Sequence, residues 1–317
     1  MSQTLPLVGA TLDPFEPGLT VGSATSTDYE GDKRPLPSLD HEGPNIFLSA
    51  EPAVDVSIVL PYYNPGVRLR TTVENVLRVL TDSDMSFEVI AVSDGSTDAS
   101  PSTIDDFPEH LVKRVSLARN AGKGYALRTG FGMAQGRYVG FIDADGDISP
   151  DYLASFLSVM EAQEPDIVIG SKRHPDSSAE NKTVRQLYSW GHQHFVHLLF
   201  RLDVKDTQVG IKLADRRLMV DVLPLLRERR FSFDLELLVL ARRLGYTNVV
   251  EAPVRIEERS GSTVSFKVVR RMLFDTIGIF WRSTVRHVYD VGPTMRAFSR
   301  PVVTDACEVV EPERAVA

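Results

Sequence analysis

Three carboxylates at alternating positions are the strongest chemical signal in this sequence. Asp143, Asp145 and Asp147 follow the apolar run 138–142, which has the length of a buried strand. Like charges this close repel one another unless a cation lies among them. Carboxylate oxygens are the ligands that Mg²⁺ and Mn²⁺ prefer, and such a metal often binds substrate phosphates as well. The pattern therefore predicts a divalent-metal site, with a solvated acidic turn as the plainer reading of any isolated Asp-x-Asp.

Other polar residues follow the neighbouring predicted strands. Asp94 follows the run 87–92, and Arg119 and Lys123 follow the run 112–117. The carboxyl ends of parallel strands meet at one edge of a sheet, where ligands bind. An acceptor for a base N–H, a metal and nearby cations are together what a nucleoside diphosphate needs. Taken singly, such an aspartate is more often a helix N-cap, and such a lysine is more often a solvated residue of the first helical turn.

Alternating strand and helix patterns must position these residues. Stretches that read as strands occur at 56–60, 87–92, 112–117, 138–142, 167–170 and 247–256. Helical spacing occurs at 69–80, from about 123 to 135, and at 150–162, 183–202, 234–244 and 265–289. Strands that alternate with helices predict parallel βαβ units, and hence an α/β fold with a Rossmann-like, mostly parallel sheet flanked by helices.

The chain of 317 residues has an uneven charge distribution that helps to divide it. Residues 1–53 hold eight acids and two bases, in a stretch rich in Pro, Gly, Ser and Thr that predicts a flexible extension. Residues 301–317 hold four acids and one base, within a loose tail predicted from residue 291. Because the net charge of −8 lies mostly in these ends, no basic footprint for a nucleic acid is present.

The sequence also bears on the compartment. The single cysteine, Cys307, allows no intramolecular disulfide, which fits a reducing cytoplasm. We expect neither a signal peptide nor a transmembrane helix, since the first residues lack the basic and apolar pattern and no apolar run approaches 18 residues.

Several motifs then resemble a known family. Pro61-Tyr62-Tyr63-Asn64, Ser93-Asp94-Gly95-Ser96-Thr97-Asp98 and Asp143-Ala144-Asp145 are similar to the ordered motifs of family 2 glycosyltransferases of GT-A fold. The stretches 119–124, 206–212 and 233–236 resemble polyprenyl-phosphate glycosyl synthases, above all the dolichyl-phosphate glucosyltransferase branch. The resemblance covers roughly residues 54–290. It implies a catalytic domain at 54–264, with a nucleotide-binding half at 54–148 and an acceptor half at 149–264.

The resemblance implies roles for residues in the nucleotide-binding half. Pro61, Tyr63 and Asp94 would hold the nucleobase of a nucleotide sugar, with UDP-glucose as the first candidate and GDP-mannose as the second. Asp143 would lie near ribose and metal, and Asp145 and Asp147 would ligate Mg²⁺ or Mn²⁺. Further donor-binding residues are assigned on the same basis: Asn64, Arg119, Lys123, Gln208 and Lys212. The sequence departs from the family pattern at Ser93, Pro65 and Asp147, where relatives place Asp, an acid and often Gln.

The resemblance also implies an acceptor site. Lys172, Arg173, Arg185 and Ser189 would hold the phosphate of a polyprenyl phosphate, and Arg259 would lie at the donor diphosphate or the acceptor phosphate. A phosphate acceptor is already an anion at pH 7, so it needs positioning and charge neutralisation rather than a strong base. The expected reaction is a single displacement with inversion at the anomeric carbon. The alternatives are a soluble family 2 enzyme with a non-lipid acceptor and a non-catalytic nucleotide-sugar-binding protein.

The predicted helix at 265–289 is amphipathic and bears on location. Its apolar stripe is predicted to include Leu273, Ile277 and Val288, with Arg282 and Arg286 roughly opposite. Such a basic amphipathic segment, over 265–290, either lies in a membrane interface or packs on its own domain. With a polyprenyl acceptor, the first option predicts peripheral binding to the inner face of the cytoplasmic membrane, directly or through a membrane-protein partner.

Overall fold

The computed structural model describes residues 51–172, 195–202, 204, 206–230, 232–256, 266–286 and 288–289. Its strands are β1 (Val54–Tyr62), β2 (Phe87–Ser93), β3 (Val112–Ser116), β4 (Gly136–Ile142), β5 (Ile167–Ser171), β6 (Ile211–Asp215) and β7 (Val249–Pro253). Its helices are α1 (Arg68–Thr81), α2 (Lys123–Phe131), α3 (Tyr152–Gln163), α4 (Arg216–Val222), α5 (Phe233–Arg243) and α6 (Phe266–Phe280). Residues 195–200 are also helical.

The described strands form one sheet in the order β3-β2-β1-β4-β6-β5-β7. The pairs β1–β2, β1–β4, β2–β3 and β5–β7 are parallel, whereas β6 runs antiparallel to both of its neighbours. The mostly parallel α/β sheet is thus confirmed. The sequence reading missed β6 and α4, because Ile211–Asp215 carries a lysine and directly adjoins the helix at Arg216 without a turn signal.

The apolar strands are buried because helices cover both faces of the sheet. One core cluster includes Val59, Val139 and Phe141, packed with residues of α2, α4 and α5. The other includes Ile58 and Leu60, packed with residues of α1 and α3. Successive residues of one strand therefore lie in different clusters, which explains why β1 reads as a continuous apolar run.

Several element boundaries differ from those predicted, and two of these elements are shorter than expected. Helix α2 ends at Phe131 rather than near residue 135, and the N–H of Gly132 closes its last turn on the carbonyl of Arg128, 3.1 Å away. The strand expected over 247–256 is paired only over Val249–Pro253. Both changes shorten an element at glycine- or loop-flanked ends, where sequence patterns define boundaries least well.

The C-terminal helix is held against the domain. After Phe280 the helix continues as a π-helical turn, Trp281–Val285. The ring of Phe280 packs edge-on against Phe200, with ring centroids 6.1 Å apart, and Ile279 is fully buried. In the part of the chain that the structure describes, no helix is long and apolar enough to span a bilayer.

Candidate active site

The tips of β4 and α2 bring a carboxylate and an ammonium group together. Nζ of Lys123 lies 2.8 Å from Oδ1 and 2.9 Å from Oδ2 of Asp143. Parallel β3 and β4 end at the same sheet edge, and α2 begins there, so the predicted proximity of these two residues is found. The geometry also answers the question left open for Lys123, which is a partner of Asp143 rather than a solvated surface lysine.

A second ion pair continues this contact into the core. Nζ of Lys212 lies 2.6 Å from Oδ1 of Asp234 and donates to the carbonyl of Val209 at 2.9 Å. Oδ2 of Asp234 lies 3.6 Å from Nζ of Lys123. Four charges of alternating sign, on Asp143, Lys123, Asp234 and Lys212, therefore form one chain. We call these four residues the ion-pair row of the site.

The ion-pair row has equal numbers of positive and negative charges, in a region from which water is largely excluded. Lys212 is 1% exposed and Asp234 is 2% exposed. Burial would lower the pKa of Lys123, but the carboxylates of Asp143 and Asp234 raise it above its usual range. Burial raises the pKa of Asp143, with Lys123 opposing the change. Lys123 therefore stays protonated at neutral pH and holds the Asp143 carboxylate in place.

Lys212 lies deeper in the protein than a donor-binding residue was expected to lie. The sequence resemblance assigned it to donor binding, but its ammonium group is buried and bonded within the protein. Its ammonium group contacts Asp234 and the carbonyl of Val209, and its role in donor binding stays a prediction. The structure makes Lys212 an internal counter-ion that fixes Asp234.

The acidic motif forms a turn beyond β4. Asp145 is exposed, and its Oδ1 accepts a hydrogen bond from the N–H of Asp147 at 3.0 Å. Among the described residues, no group of three or more His, Cys, Asp or Glu side chains is arranged to hold a metal ion. The predicted set of three ligands is thus not assembled here, because Lys123 holds Asp143 and Asp145 bonds its own turn.

The carboxylate oxygens of this motif nevertheless suit Mg²⁺ or Mn²⁺ as ligands. Such ions are commonly held by one or two carboxylates plus substrate phosphates, rather than by a complete protein cage. Asp143 and Asp145 supply hard oxygen atoms at the sheet edge, and Asp145 is open to solvent. Ligation by Asp143, Asp145 and Asp147 stays a prediction that fits this chemistry.

Asp94 positions the loop that precedes α2. Its Oδ1 accepts from the N–H of Ala121 at 2.6 Å, and its Oδ2 accepts from the N–H of Gly122 at 2.9 Å. The side chain is 4% exposed, and burial raises its pKa although both N–H groups oppose this. The carboxylate therefore caps a loop from the neighbouring strand. Its predicted contact with a nucleobase is untested.

The glycines of this loop allow close packing. Gly122 has a φ of +103°, and a Cβ atom there would lie 2.3 Å from the carbonyl oxygen of Arg229. That carbonyl accepts the N–H of Tyr125, the third residue of α2, at 3.1 Å. The start of α2 is thus covered by the segment before α5. Gly122 thus permits a close approach of the two segments that a side chain would prevent.

Asn64 joins the loops that follow β1 and β2. Its Oδ1 accepts from the N–H of Thr97 at 2.8 Å, and its own N–H donates to Oγ of Ser96 at 3.1 Å. Pro61 is buried within β1, where it pairs with Val92, whereas Tyr63 is 42% exposed. Of the predicted nucleobase residues near β1, Tyr63 is therefore the one whose side chain is open to a ligand.

The acceptor half reaches the same edge through β5 and the loop before β6. Nζ of Lys172 lies 3.4 Å from Oδ2 of Asp206, which is 5% exposed. Gln208 donates its N–H to Oδ1 of Asp206 at 3.3 Å. Lys172 is 40% exposed in its side chain, so an anion can reach it. Arg119 is half-buried, and its backbone lies against Gly95.

Four predicted site residues cannot be placed. Arg173, Arg185, Ser189 and Arg259 lie outside the described residues, and their roles remain predictions.

Three residues that contact the candidate site were missed as single residues. Asp234, Asp206 and Gly210 stand in motifs that were noticed, yet they received no role. Asp234 carries a usable signal, since it and Glu236 are the two carboxylates in the otherwise apolar stretch 233–241, and buried carboxylates are rarely found without a partner. Gly210 is identified only by the structure, where its carbonyl accepts the N–H of Asp143 at 2.9 Å.

The fold and site define a GT-A class of nucleotide-sugar transferase, with a mostly parallel sheet and acidic and basic residues at one edge. The family model described as Glycosyl transferase family 2 matches residues 57–219, slightly more than half of the chain. The protein therefore belongs to glycosyl transferase family 2, and it is a glycosyltransferase.

Curated relatives extend the match beyond this region. A dolichyl-phosphate beta-glucosyltransferase of Drosophila melanogaster is 33% identical over 234 residues, covering 69% of this chain and 72% of that protein. The protein of the same name from Dictyostelium discoideum is 29% identical over 272 residues, covering 80% of both chains. The one from Mus musculus is 30% identical over 254 residues, covering 71% of this chain and 78% of the relative.

Solved structures confirm the fold. Mannosyl-3-phosphoglycerate synthase from Rubrobacter xylanophilus has a TM-score of 0.58 at 16% identity, covering 74% of this chain and 75% of that one. Glucosyl-3-phosphoglycerate synthase from Mycobacterium tuberculosis, in complex with Mn²⁺, UDP-glucose and phosphoglyceric acid, has a TM-score of 0.55 at 18% identity. That match covers 72% of this chain and 80% of the synthase.

A Gly210→Ala substitution is expected to disturb Asp143 directly. A Cβ atom on residue 210 would lie 2.1 Å from Oδ2 of Asp143, so the carboxylate would have to leave its place beside Lys123. Misplacement of a site group by about 1 Å can reduce turnover about 100-fold. We expect a loss of that order in sugar transfer, measured from a radiolabelled nucleotide sugar.

Gly278→Ala is the matched control for this change. A Cβ atom there would come no closer than 3.5 Å, to Nη1 of Arg282, which is ordinary contact. Normal transfer by Gly210→Ala, with both variants equally folded, would show that the position of Asp143 is not critical.

Proposed function

We propose that this protein moves glucose from UDP-glucose to a polyprenyl phosphate, with inversion at the anomeric carbon. GDP-mannose is the second donor considered. The observation that carries the proposal is the set of dolichyl-phosphate beta-glucosyltransferases, which are 29–33% identical over 69–80% of this chain. The charged sheet edge at Asp143 supports the same chemistry, because it joins carboxylates to cations where a sugar diphosphate would lie.

The proposed reaction is one balanced displacement. An oxygen of the acceptor phosphate forms a bond to the anomeric carbon, while the bond from that carbon to the diphosphate oxygen breaks. The nucleoside diphosphate leaves with the electron pair, and no proton must move, since the attacking phosphate is already ionised. A bound Mg²⁺ or Mn²⁺ would supply positive charge to the leaving diphosphate.

Different residues would then orient the donor and the acceptor. Asp143 and Asp145 would hold the metal together with the donor phosphates, and Lys123 would remain beside them as a further cation. On the acceptor side, Lys172 would exchange its contact with Asp206 for the incoming phosphate, since its side chain is partly open. Arg173, Arg185, Ser189 and Arg259 are proposed to complete the phosphate contacts.

Acceptor-dependent transfer tests this function. Radiolabelled UDP-glucose and GDP-mannose are each incubated with the full chain, a short-chain polyprenyl phosphate and Mg²⁺ or Mn²⁺. We expect label in the organic phase from UDP-glucose, its loss with a chelator, and inverted anomeric configuration in the product. An Asp145→Ala variant should lose about 100-fold or more in rate. Asp106→Ala, which removes an exposed carboxylate that pairs with Arg70, should keep the normal rate.

Other outcomes distinguish the alternatives. Metal-dependent hydrolysis of a donor, without label in the organic phase, would indicate that the acceptor is not a lipid. Donor binding without any turnover would identify a nucleotide-sugar-binding protein. A product with retained configuration would exclude the single displacement.

A further inference from the structure

Glu236 is a buried carboxylate that no step of the proposed reaction uses. It lies on α5, two residues after Asp234 of the ion-pair row, and it is fully buried. Its Oε2 accepts from the N–H groups of Arg227 and Glu228, at 2.8 Å and 2.7 Å. Carboxylates are rarely buried without partners, and hydrogen bonds to a charged acceptor are the stronger ones. The charge of Glu236 therefore fixes the backbone of the segment that precedes α5.

The same carboxylate is held from its other side by residues that follow α6. Its Oε1 accepts a hydrogen bond from the Tyr289 hydroxyl and lies 3.5 Å from Nη2 of Arg282. Arg282 also pairs with the side chain of Glu228, and its Nε donates to the Tyr289 hydroxyl at 2.8 Å. These inward contacts correct the expectation that Arg282 lies on the outer polar face of its helix. Both oxygens of Glu236 act as acceptors, which requires the ionised side chain.

The segment fixed in this way, residues 227–230, covers the start of α2, and we call it the covering loop. The carbonyl of Arg229 accepts the N–H of Tyr125 at 3.1 Å. A Cβ atom on Gly124 would lie 2.7 Å from the carbonyl oxygen of Glu228. The two backbones therefore touch along the first turn of α2. Because such close-packed contacts transmit displacements, a shift of the covering loop would also shift this turn.

The first turn of α2 carries Lys123. Its Nζ contacts both oxygens of Asp143, at 2.8 Å and 2.9 Å, and lies 3.6 Å from Oδ2 of Asp234. It also lies 5.0 Å from the ring centroid of Phe141 on β4. Misplacement of a site group by about 1 Å can reduce turnover about 100-fold. The position of this ammonium group therefore depends on the covering loop and, through the loop, on Glu236.

We propose that Glu236 is a positioning residue for sugar transfer, an inference that rests on the proposed function. Its carboxylate fixes the covering loop, the loop fixes the first turn of α2, and this turn holds Lys123 beside Asp143. The C-terminal residues take part, because Arg282 and Tyr289 contact the carboxylate from the side opposite to the loop. Glu236 acts through these contacts and not on a substrate, since it is fully buried.

Hydrogen exchange of the free, full-length protein tests the contact without any substrate. Glu236→Gln keeps the shape of the side chain but removes its charge and one acceptor oxygen. We expect the amides of residues 121–126 to exchange about tenfold faster in this variant, because the covering loop opens more readily.

Glu88→Gln is the matched control for this substitution. Glu88 is also a buried carboxylate, and its Oε1 accepts the N–H of Gln135 at 2.6 Å. It lies near the beginning of β2, at the opposite edge of the sheet from the acidic motif. Glu88→Gln should therefore leave exchange at residues 121–126 nearly unchanged.

A double-mutant cycle tests whether Glu236 acts through Lys123. Glu236→Gln should lower kcat for sugar transfer about tenfold and change the KM for UDP-glucose about threefold at most, because the positioned cation stabilises the leaving diphosphate. In a Lys123→Met background the same substitution should lower kcat about twofold at most, since the cation that it positions is already absent. Equal losses in both backgrounds would overturn the proposal.

Gly124→Ala tests the same contact from α2 and leaves Glu236 intact, so it also serves if Glu236→Gln does not fold. Its Cβ atom would press on the carbonyl oxygen of Glu228, and we expect faster exchange at residues 121–126 and slower transfer. Unchanged exchange in both variants would overturn the proposal. Absence of transfer from every donor would refute the proposed function, and the exchange result would still decide whether Glu236 holds the start of α2.

Discussion

An Asp234→Asn variant is expected to unfold far more readily than the unmodified protein. The substitution removes the carboxylate that lies 2.6 Å from the ammonium group of Lys212, which is 1% exposed. In the described part of the chain, the buried ammonium group then has no carboxylate beside it, only neutral groups such as the carbonyl of Val209 and the new amide. Breaking a buried ion pair from one side costs about 3–5 kcal/mol, and we expect a loss of that size in urea unfolding.

Two further variants test this explanation. Asp106→Asn removes an exposed carboxylate that pairs with Arg70, and it should leave the unfolding midpoint nearly unchanged. Asp234→Asn combined with Lys212→Met removes both buried charges, so it should recover much of the lost stability. If the double variant is as unstable as Asp234→Asn, the buried charge on Lys212 is not the cause.

The second large effect is expected at Lys123. In a Lys123→Met variant, Asp143 loses the cation that contacts both of its oxygens, so its negative charge becomes available to a metal ion. Removing a positive charge about 4 Å from a binding site should tighten Mn²⁺ binding to the free protein about tenfold. Sugar transfer should nevertheless fall about 100-fold, since a cation that stabilises the diphosphate is lost.

Calorimetric titration with Mn²⁺ in the absence of nucleotide measures the first effect, and the transfer assay measures the second. Lys113→Met is the control, because Lys113 pairs with Glu88 at 2.6 Å, away from the acidic motif. Weaker Mn²⁺ binding in Lys123→Met would mean that Lys123 positions Asp143 for the metal rather than competing with it. Unchanged transfer would remove Lys123 from the site.

The fold was predictable where a single pattern decided it. Strands β1, β2 and β4 are mostly buried and read as short apolar runs, so their existence and order followed from the sequence. Strand β6 contains Lys212, whose ammonium group is neutralised by a residue 22 positions away. A local pattern cannot show that such a lysine belongs to a core, because its partner is supplied by tertiary structure.

The site was predictable at its edge but not in its interior. Asp143 and Lys123 follow predicted strands, and topology alone brings such residues together. The structure shows in addition that the side chains of Asp94 and Asn64 accept hydrogen bonds from backbone N–H groups of loops. Residue type indicates that a polar group needs partners, whereas only coordinates show whether those partners are a ligand or the chain itself.

Strand β6 also affects the order in which the protein can assemble. In the described sheet, β1 to β4 lie on one side of β6, and β5 and β7 lie on the other. During synthesis, the first four strands are complete once residue 142 has emerged, and they can pair with one another at once. The remaining strands have no place in the sheet until residues 211–215 insert antiparallel beside β4. Pairings this distant along the chain form slowly, so a nascent chain of intermediate length holds an open strand edge on β4 that can pair with another chain.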